Sequence, residues 1–146
     1  MCGIFFYIGK PGDVTAMKAG FNKIRHRGPE DTQFVVRYVE IDGEEIMIVH
    51  GFHRLCINGL NRASDQPFNL QNTIYCTNGE VWNSEAIHRE TGTINASGSD
   101  CECIAPLYRK SENFGKLIEG LDGDYGIAMY DQVTRKLNLK YKTSYE

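Results

Sequence analysis

No apolar run in this 146-residue chain approaches the ~20 residues that a membrane-spanning helix needs. No block of lysine or arginine is present either, and a net charge of −3 argues against nucleic acid as a main partner. The apolar stretch at 2–8 lacks a basic leader and gives way at once to Gly9-Lys10-Pro11-Gly12, so a secretory signal is not expected. These absences predict a cytoplasmic protein with no membrane attachment. Internal repeats and low-complexity segments are also missing. The hydrophobic fraction of 41% and charged fraction of 24% are ordinary for one globular domain, here residues 1–146. A domain of this size buries roughly 68–70% of the surface its unfolded chain exposes.

Cysteine is present but in a pattern that excludes two uses. Five residues, Cys2, Cys56, Cys76, Cys101 and Cys103, make an odd count without a secretion signal, which predicts reduced thiols rather than a disulfide framework. Cys101-x-Cys103 is tighter than the usual zinc-ligand gap, and no second pair of Cys or His sits at a matching offset. Only His50 and His53 could complete such a site in space, and no metal is expected.

What the chain does have begins at its start. If Met1 is removed, Cys2 carries a thiol and a free α-amine on one residue. An α-amine titrates near ~7.7–8.0 and a thiol near ~8.5, so the amine can take the thiol's proton at neutral pH. That is the cysteine counterpart of the N-terminal threonine nucleophile. A cysteine at position 2 is also a common accident, an inert small hydrophobe in most chains.

Gly3 to Ile8 reads as a buried strand. Asp13 caps a helix in which Val14, Met17, Phe21 and Ile24 share one face, ended by Arg25-His26-Arg27-Gly28-Pro29 with Gly28 as the C-terminal cap. Strands at 32–39 and 45–52 flank Asp42-Gly43, a hairpin signal. The polar stretch 58–72 is a loop long enough to expect a function. A strand at 73–77 runs into Asn78-Gly79. Helices follow at 83–89, at 100–110 (capped by Ser99, with Pro106 predicting a kink or late start) and at 112–118. Strands at 124–131 and 136–142 form a second hairpin. Hairpins with a few helices among them predict a layered α+β domain with antiparallel pairing.

Five segments in order resemble one family. They are Met1-Cys2-Gly3-Ile4-Phe5, Arg25-His26-Arg27-Gly28-Pro29, Gly51 to Ile57 around Arg54, Asn78-Gly79-Glu80 with Ser99-Asp100-Cys101-Glu102, and Leu121-Asp122-Gly123 through Met129-Tyr130-Asp131. Together they are similar to class II glutamine amidotransferase domains, nearest to the glutaminase domain of glutamine-hydrolysing asparagine synthetases. The resemblance implies an N-terminal-nucleophile hydrolase fold, an αββα four-layer sandwich. It implies hydrolysis of L-glutamine to glutamate and ammonia through a Cys2 thioester. The oxyanion donors would be the Asn78 side chain and the Gly79 N–H. Arg54 would hold the substrate α-carboxylate, Asp100 with Glu80 nearby would hold the α-ammonium, and Ile57 and Asn58 would complete the pocket.

Taken singly, each residue has a plainer reading. Asn78-Gly79 is most often a turn, Arg54 a solvated charge, and Asp100 a helix-start acid facing the macrodipole. Four departures also stand out: Pro106 within a helix, Glu30 ahead of Asp31 where the family has Gly-Pro-Asp, Asn58 in an apolar position, and an ending without the family's final strands. The last predicts a C-terminally shortened sandwich with an uncovered edge, to be covered by a partner subunit or a second copy of the chain. Glutamine hydrolysis would need no cofactor. ATP and Mg would serve only a partner synthetase domain, since no ATP-pyrophosphatase loop is present. The competing expectation is a catalytically idle glutamine-binding or assembly module.

Overall fold

The apolar run after Cys2 forms the first strand of a computed structural model that describes residues 2–57, 59–111 and 113–143. Strand β1 (Gly3–Gly9) is followed by helix α1 (Val14–Asn22), and Asp13 caps it by accepting the Ala16 N–H at 3.0 Å. The helix stops at Asn22, short of the expected Ile24, and the segment expected to end it forms a 3-10 turn, Arg25–Arg27. Strands β2 (Asp31–Ile41) and β3 (Glu44–Arg54) make the expected hairpin around Asp42-Gly43, both with positive φ. The three strands form one antiparallel sheet in the order β1-β3-β2.

The second sheet comes from the other half of the chain. It contains β4 (Phe68–Leu70), β5 (Thr73–Val81), β6 (Gly123–Asp131) and β7 (Lys136–Lys142), antiparallel and in that order. Helices α2 (Ser84–Thr91), α3 (Ile104–Ser111) and α4 (Phe114–Gly120) lie between β5 and β6 in sequence. The expected start of the last helix at Glu112 lies outside the described residues. Pro106 is accommodated by a late start. A 3-10 turn, Asp100–Cys103, takes the Ser99 cap, and Pro106 falls in the first turn of α3, where its missing N–H has no partner to lose.

Alternation along the strands decides which face meets which layer. On the first sheet Phe21 of α1 stacks on His53 at 3.7 Å between ring centroids, with Phe5 and Phe34 beside it. The other face carries Phe6 and His50 in edge contact at 4.7 Å and meets the second sheet, where the Cys76 thiol faces the Gly51 carbonyl at 3.9 Å. The far face of the second sheet holds the main core. There Tyr75, Tyr125, Ile127 and Met129 pack against Ile87, Ile104, Leu107 and Leu117. Full burial of each such side chain stabilises by about 1.5–3 kcal/mol. The Tyr75 hydroxyl finds the Cys101 carbonyl at 3.1 Å, which satisfies its polar tip inside that core. Among the described residues no helix is long and apolar enough to cross a membrane.

Asn78-Gly79 is not a turn. Strand β5 runs through it to Val81, and its pairing with β6 sets Asn78 opposite Gly126 and Gly79 opposite Tyr125. Gly28 is not a left-handed helix cap either. Its φ of −157° is extended, and it is glycine because a Cβ there would sit 2.2 Å from the His53 carbonyl oxygen.

Candidate active site

The β1–β3 register sets the start of the chain beside the end of β3. Gly3 pairs with His53, so Cys2 falls next to Leu55. The Leu55 N–H donates to Cys2 Sγ at 3.3 Å, and the thiol faces the Leu55 carbonyl at 3.5 Å. Arg27 Nε donates to the Cys2 carbonyl at 3.2 Å, so the Arg-His-Arg segment clamps the backbone of this residue. The following segment is held from a second side, because Glu30 Oε2 accepts the Cys56 N–H at 2.5 Å.

Cys2 opens onto a cavity of about 260 Å3 lined also by Arg54, Ile57, Asn78, Gly79, Glu80 and Asp100. Four separated stretches of sequence therefore meet at one concavity. Asn58, expected with them, lies outside the described residues. Ile57 and Glu80 are exposed at its mouth, whereas Arg54 is buried.

Strand β5 delivers Asn78 and Gly79. Gly79 has φ +147°, and a Cβ on it would stand 2.0 Å from the Asp124 carbonyl oxygen, so β5 and β6 approach here as only glycine allows. Asn78 Oδ1 is buried with no hydrogen-bond partner among the described residues. Across the cavity, Asp100 begins the turn capped by Ser99, and its Oδ2 accepts the Val81 N–H at 2.6 Å.

Arg54 is the most heavily engaged group. Its Nη1 pairs with Asp65 Oδ1 at 2.6 Å, and its Nη2 donates to the carbonyls of Gly59 and Asn61 and to Ser64 Oγ, the last two at 3.0 and 2.7 Å. The guanidinium thus pegs the 59–65 loop to the end of β3. Burial raises the Asp65 carboxyl's proton affinity against the pull of Arg54, and the neighbouring Asp31 carboxyl adds to the rise.

Several groups were not singled out from the sequence. Gln66 Oε1 accepts the buried Thr77 N–H at 2.5 Å, which joins the loop to β5, and Gln66, Ser64 and Trp82 also line the cavity, as does the expected cap Ser99. Trp82 is 56% exposed at the rim. The signal available was the length of the polar 58–72 stretch, which marked the loop but not its individual contacts.

Cys101 and Cys103 are buried with their thiols facing the carbonyls of Gly79 and Asp100, and burial pushes Cys103 up to about 12. His53 is committed to Thr32 Oγ1 at 2.8 Å and to the Phe21 carbonyl at 3.1 Å. Among the described residues no group of three or more His, Cys, Asp or Glu could hold a metal ion.

The geometry can be set beside known proteins. The family model for the glutamine amidotransferase domain matches residues 1–141. A probable glutamine-hydrolysing asparagine synthetase of Acanthamoeba polyphaga mimivirus is 30% identical over 141 residues, which is 94% of this chain and 25% of that protein. Asparagine synthetase B of Escherichia coli is 28% identical over 138 residues, covering 90% of this chain and 23% of the relative. Glutamine-hydrolysing asparagine synthetase 1 of Arabidopsis thaliana is 32% identical over 140 residues, covering 90% and 22%. The chain spans about a quarter of the length of these curated relatives.

Proposed function

Because the chain belongs to the glutamine amidotransferase domain family, we propose that it hydrolyses L-glutamine to glutamate and ammonia at the Cys2 cavity. The observation that carries this reading is the convergence of Cys2, Arg54, Asn78, Gly79 and Asp100 on one concavity from four separated segments. On this reading residues 1–146 belong to the glutaminase domain, and two antiparallel sheets with helices packed on them are consistent with the αββα sandwich of N-terminal-nucleophile hydrolases.

With Met1 removed, the Cys2 amine takes the thiol proton and Sγ attacks the side-chain amide carbon of glutamine. The tetrahedral oxyanion is met by the Gly79 N–H and the Asn78 amide. Asn78 Oδ1 has no hydrogen-bond partner among the described residues, and its NH2 group is the donor for this role. The C–N bond then breaks, the ammonium of Cys2 returns its proton to the leaving nitrogen, and ammonia departs. Water hydrolyses the thioester to glutamate and frees the thiol. Loss of one oxyanion donor costs ~10²–10³ in rate, the expected effect of Asn78→Ala.

Arg54 binds the substrate α-carboxylate, and Asp100 with Glu80 binds the α-ammonium; Ile57 and Asn58 close the pocket. This half-reaction draws on no cofactor. The ammonia passes to an asparagine-synthetase-type partner, a domain or a subunit, and ATP and Mg belong to that partner's chemistry. A homodimer of this chain is the alternative association. The five cysteines are free, which suits a cytoplasmic location.

The test is the intact mass of the protein before and after a glutamine-mimicking diazo-ketone that alkylates thiols. The proposal expects loss of Met1 and one adduct at Cys2 that excess glutamine blocks, together with ammonia release that Cys2→Ala abolishes. Glutamine-dependent thermal stabilisation without ammonia release would instead establish an idle binding or assembly module.

A further inference from the structure

The space between the two sheets holds charge that the glutamine site does not use. On the far side of the 59–67 loop lies a second cavity of about 310 Å3, and Gln66 borders both. One wall is β2, whose alternate residues Gln33, Val35 and Arg37 face inward, and the other is Asn69 with Ile74 of the second sheet.

Arg37 is the anomaly. It occupies an inward-facing position in the middle of a strand, where an apolar residue would bury at no electrostatic cost. Its Nε is buried without a hydrogen-bond partner among the described residues. The residue as a whole is half-buried, but a donor atom buried without a partner is costly unless something arrives to pair with it. Among the described residues no carboxylate forms an ion pair with it. His50, fully buried behind it, has no hydrogen-bond partner on either ring nitrogen among the described residues, and burial followed by the charge of Arg37 pushes it down to about 4. The carboxylate on the cavity wall, Asp65, is already paired with Arg54. A second guanidinium, Arg62, stands at the rim.

We propose that this cavity is a second ligand site, taking a small organic carboxylate. Arg37 holds the carboxylate from within and Arg62 from the rim, while the amides of Gln33 and Asn69 bond its remaining oxygens. Val35 and Ile74 give its carbon skeleton an apolar surface. The walls favour a carboxylate over a bare oxyanion because that apolar side would be wasted on an ion with no carbon to bury.

The site is tested by calorimetric titration of the full chain with succinate and, separately, with inorganic phosphate, at constant ionic strength set with chloride. The expected result is saturable succinate binding that Arg37→Gln weakens at least tenfold and Arg62→Gln, on the exposed rim, weakens a few-fold. The ligand-free melting temperature of each variant reports folding, and the rim variant covers the case in which Arg37→Gln fails to fold. Saturable phosphate binding of greater affinity, dependent on the same arginines, would overturn the carboxylate assignment. No saturable binding of either anion, or succinate binding untouched by both substitutions, would overturn the site. These outcomes do not depend on whether Cys2 turns glutamine over, which the alkylation experiment reads separately.

Discussion

Gly79→Ala is the substitution that most sharply tests how the site is built. Two penalties meet at this position. A φ of +147° is a region that residues with a Cβ rarely adopt, and holding one there costs of order 1–3 kcal/mol. The added Cβ would also stand 2.0 Å from the Asp124 carbonyl oxygen, and that neighbour is backbone within the β5–β6 ladder, which cannot rotate away. Overpacking of this kind costs typically 1–3 kcal/mol. The sum is about 2–6 kcal/mol, and at about 3–4 °C per kcal/mol for a domain of this size the melting temperature should fall by at least ~6 °C. Gly20→Ala is the matched control. Gly20 lies in helix α1 with nothing within 4 Å of its missing Cβ, so alanine there should stabilise by about 0.5–1 kcal/mol. The assay is thermal unfolding followed by circular dichroism on both variants. If Gly79→Ala melts within a degree of the parent, the close approach of β5 to β6 is wrong, and so is the placement of the proposed oxyanion donors that depends on it.

Gln66→Leu keeps the volume of the side chain but removes the acceptor for the buried Thr77 N–H. It should destabilise by about 1–3 kcal/mol in urea unfolding, and an unchanged midpoint would refute the loop-to-strand link. The acid limb of stability should be governed in part by Asp131. Burial works against its ionisation, but Arg109, the Val133 and Thr134 amides and the Tyr108 hydroxyl outweigh that and hold its carboxyl below the usual range. A depressed carboxyl contributes stability that is present above the unfolded value near ~3.9 and lost as pH falls toward the folded one. Asp131→Asn should therefore lower stability at neutral pH and flatten its decline below about pH 4, as read from unfolding midpoints across that range.

The strands and helices were largely legible because their signals are local. Asp13 caps α1, Asp42-Gly43 turns the β2–β3 hairpin, and Pro106 fixes where α3 can begin. The signals were least informative where a glycine answers to a distant neighbour. Asn78-Gly79 carries the composition of a turn, yet Gly79 is required by the backbone of β6, which lies some forty-five residues further along the chain. Gly28 does cap the Arg25–Arg27 turn, through its N–H to the Arg25 carbonyl, but it is also needed to make room for His53. The residues expected at the site were placed by motif, and the described ones share a cavity. Glu30, Ser64, Asp65 and Gln66 could not be ranked by the same means, since what each does depends on which backbone N–H or guanidinium the folded loop brings to it. Arg37 was equally silent, because one polar residue in an alternating strand does not declare which face it occupies.

The peg that Arg54 drives through the 59–65 loop has a consequence for genetics. One guanidinium both orders a loop and stands in the candidate substrate pocket, so any substitution of it perturbs two traits at once. A saturation screen would score position 54 as intolerant whichever trait selection acts on, and the score would carry no information about recognition. The separable allele is at the loop's end of the contact, Asp65, which does not line that pocket, so the anchorage can be weakened while the arginine stays in place.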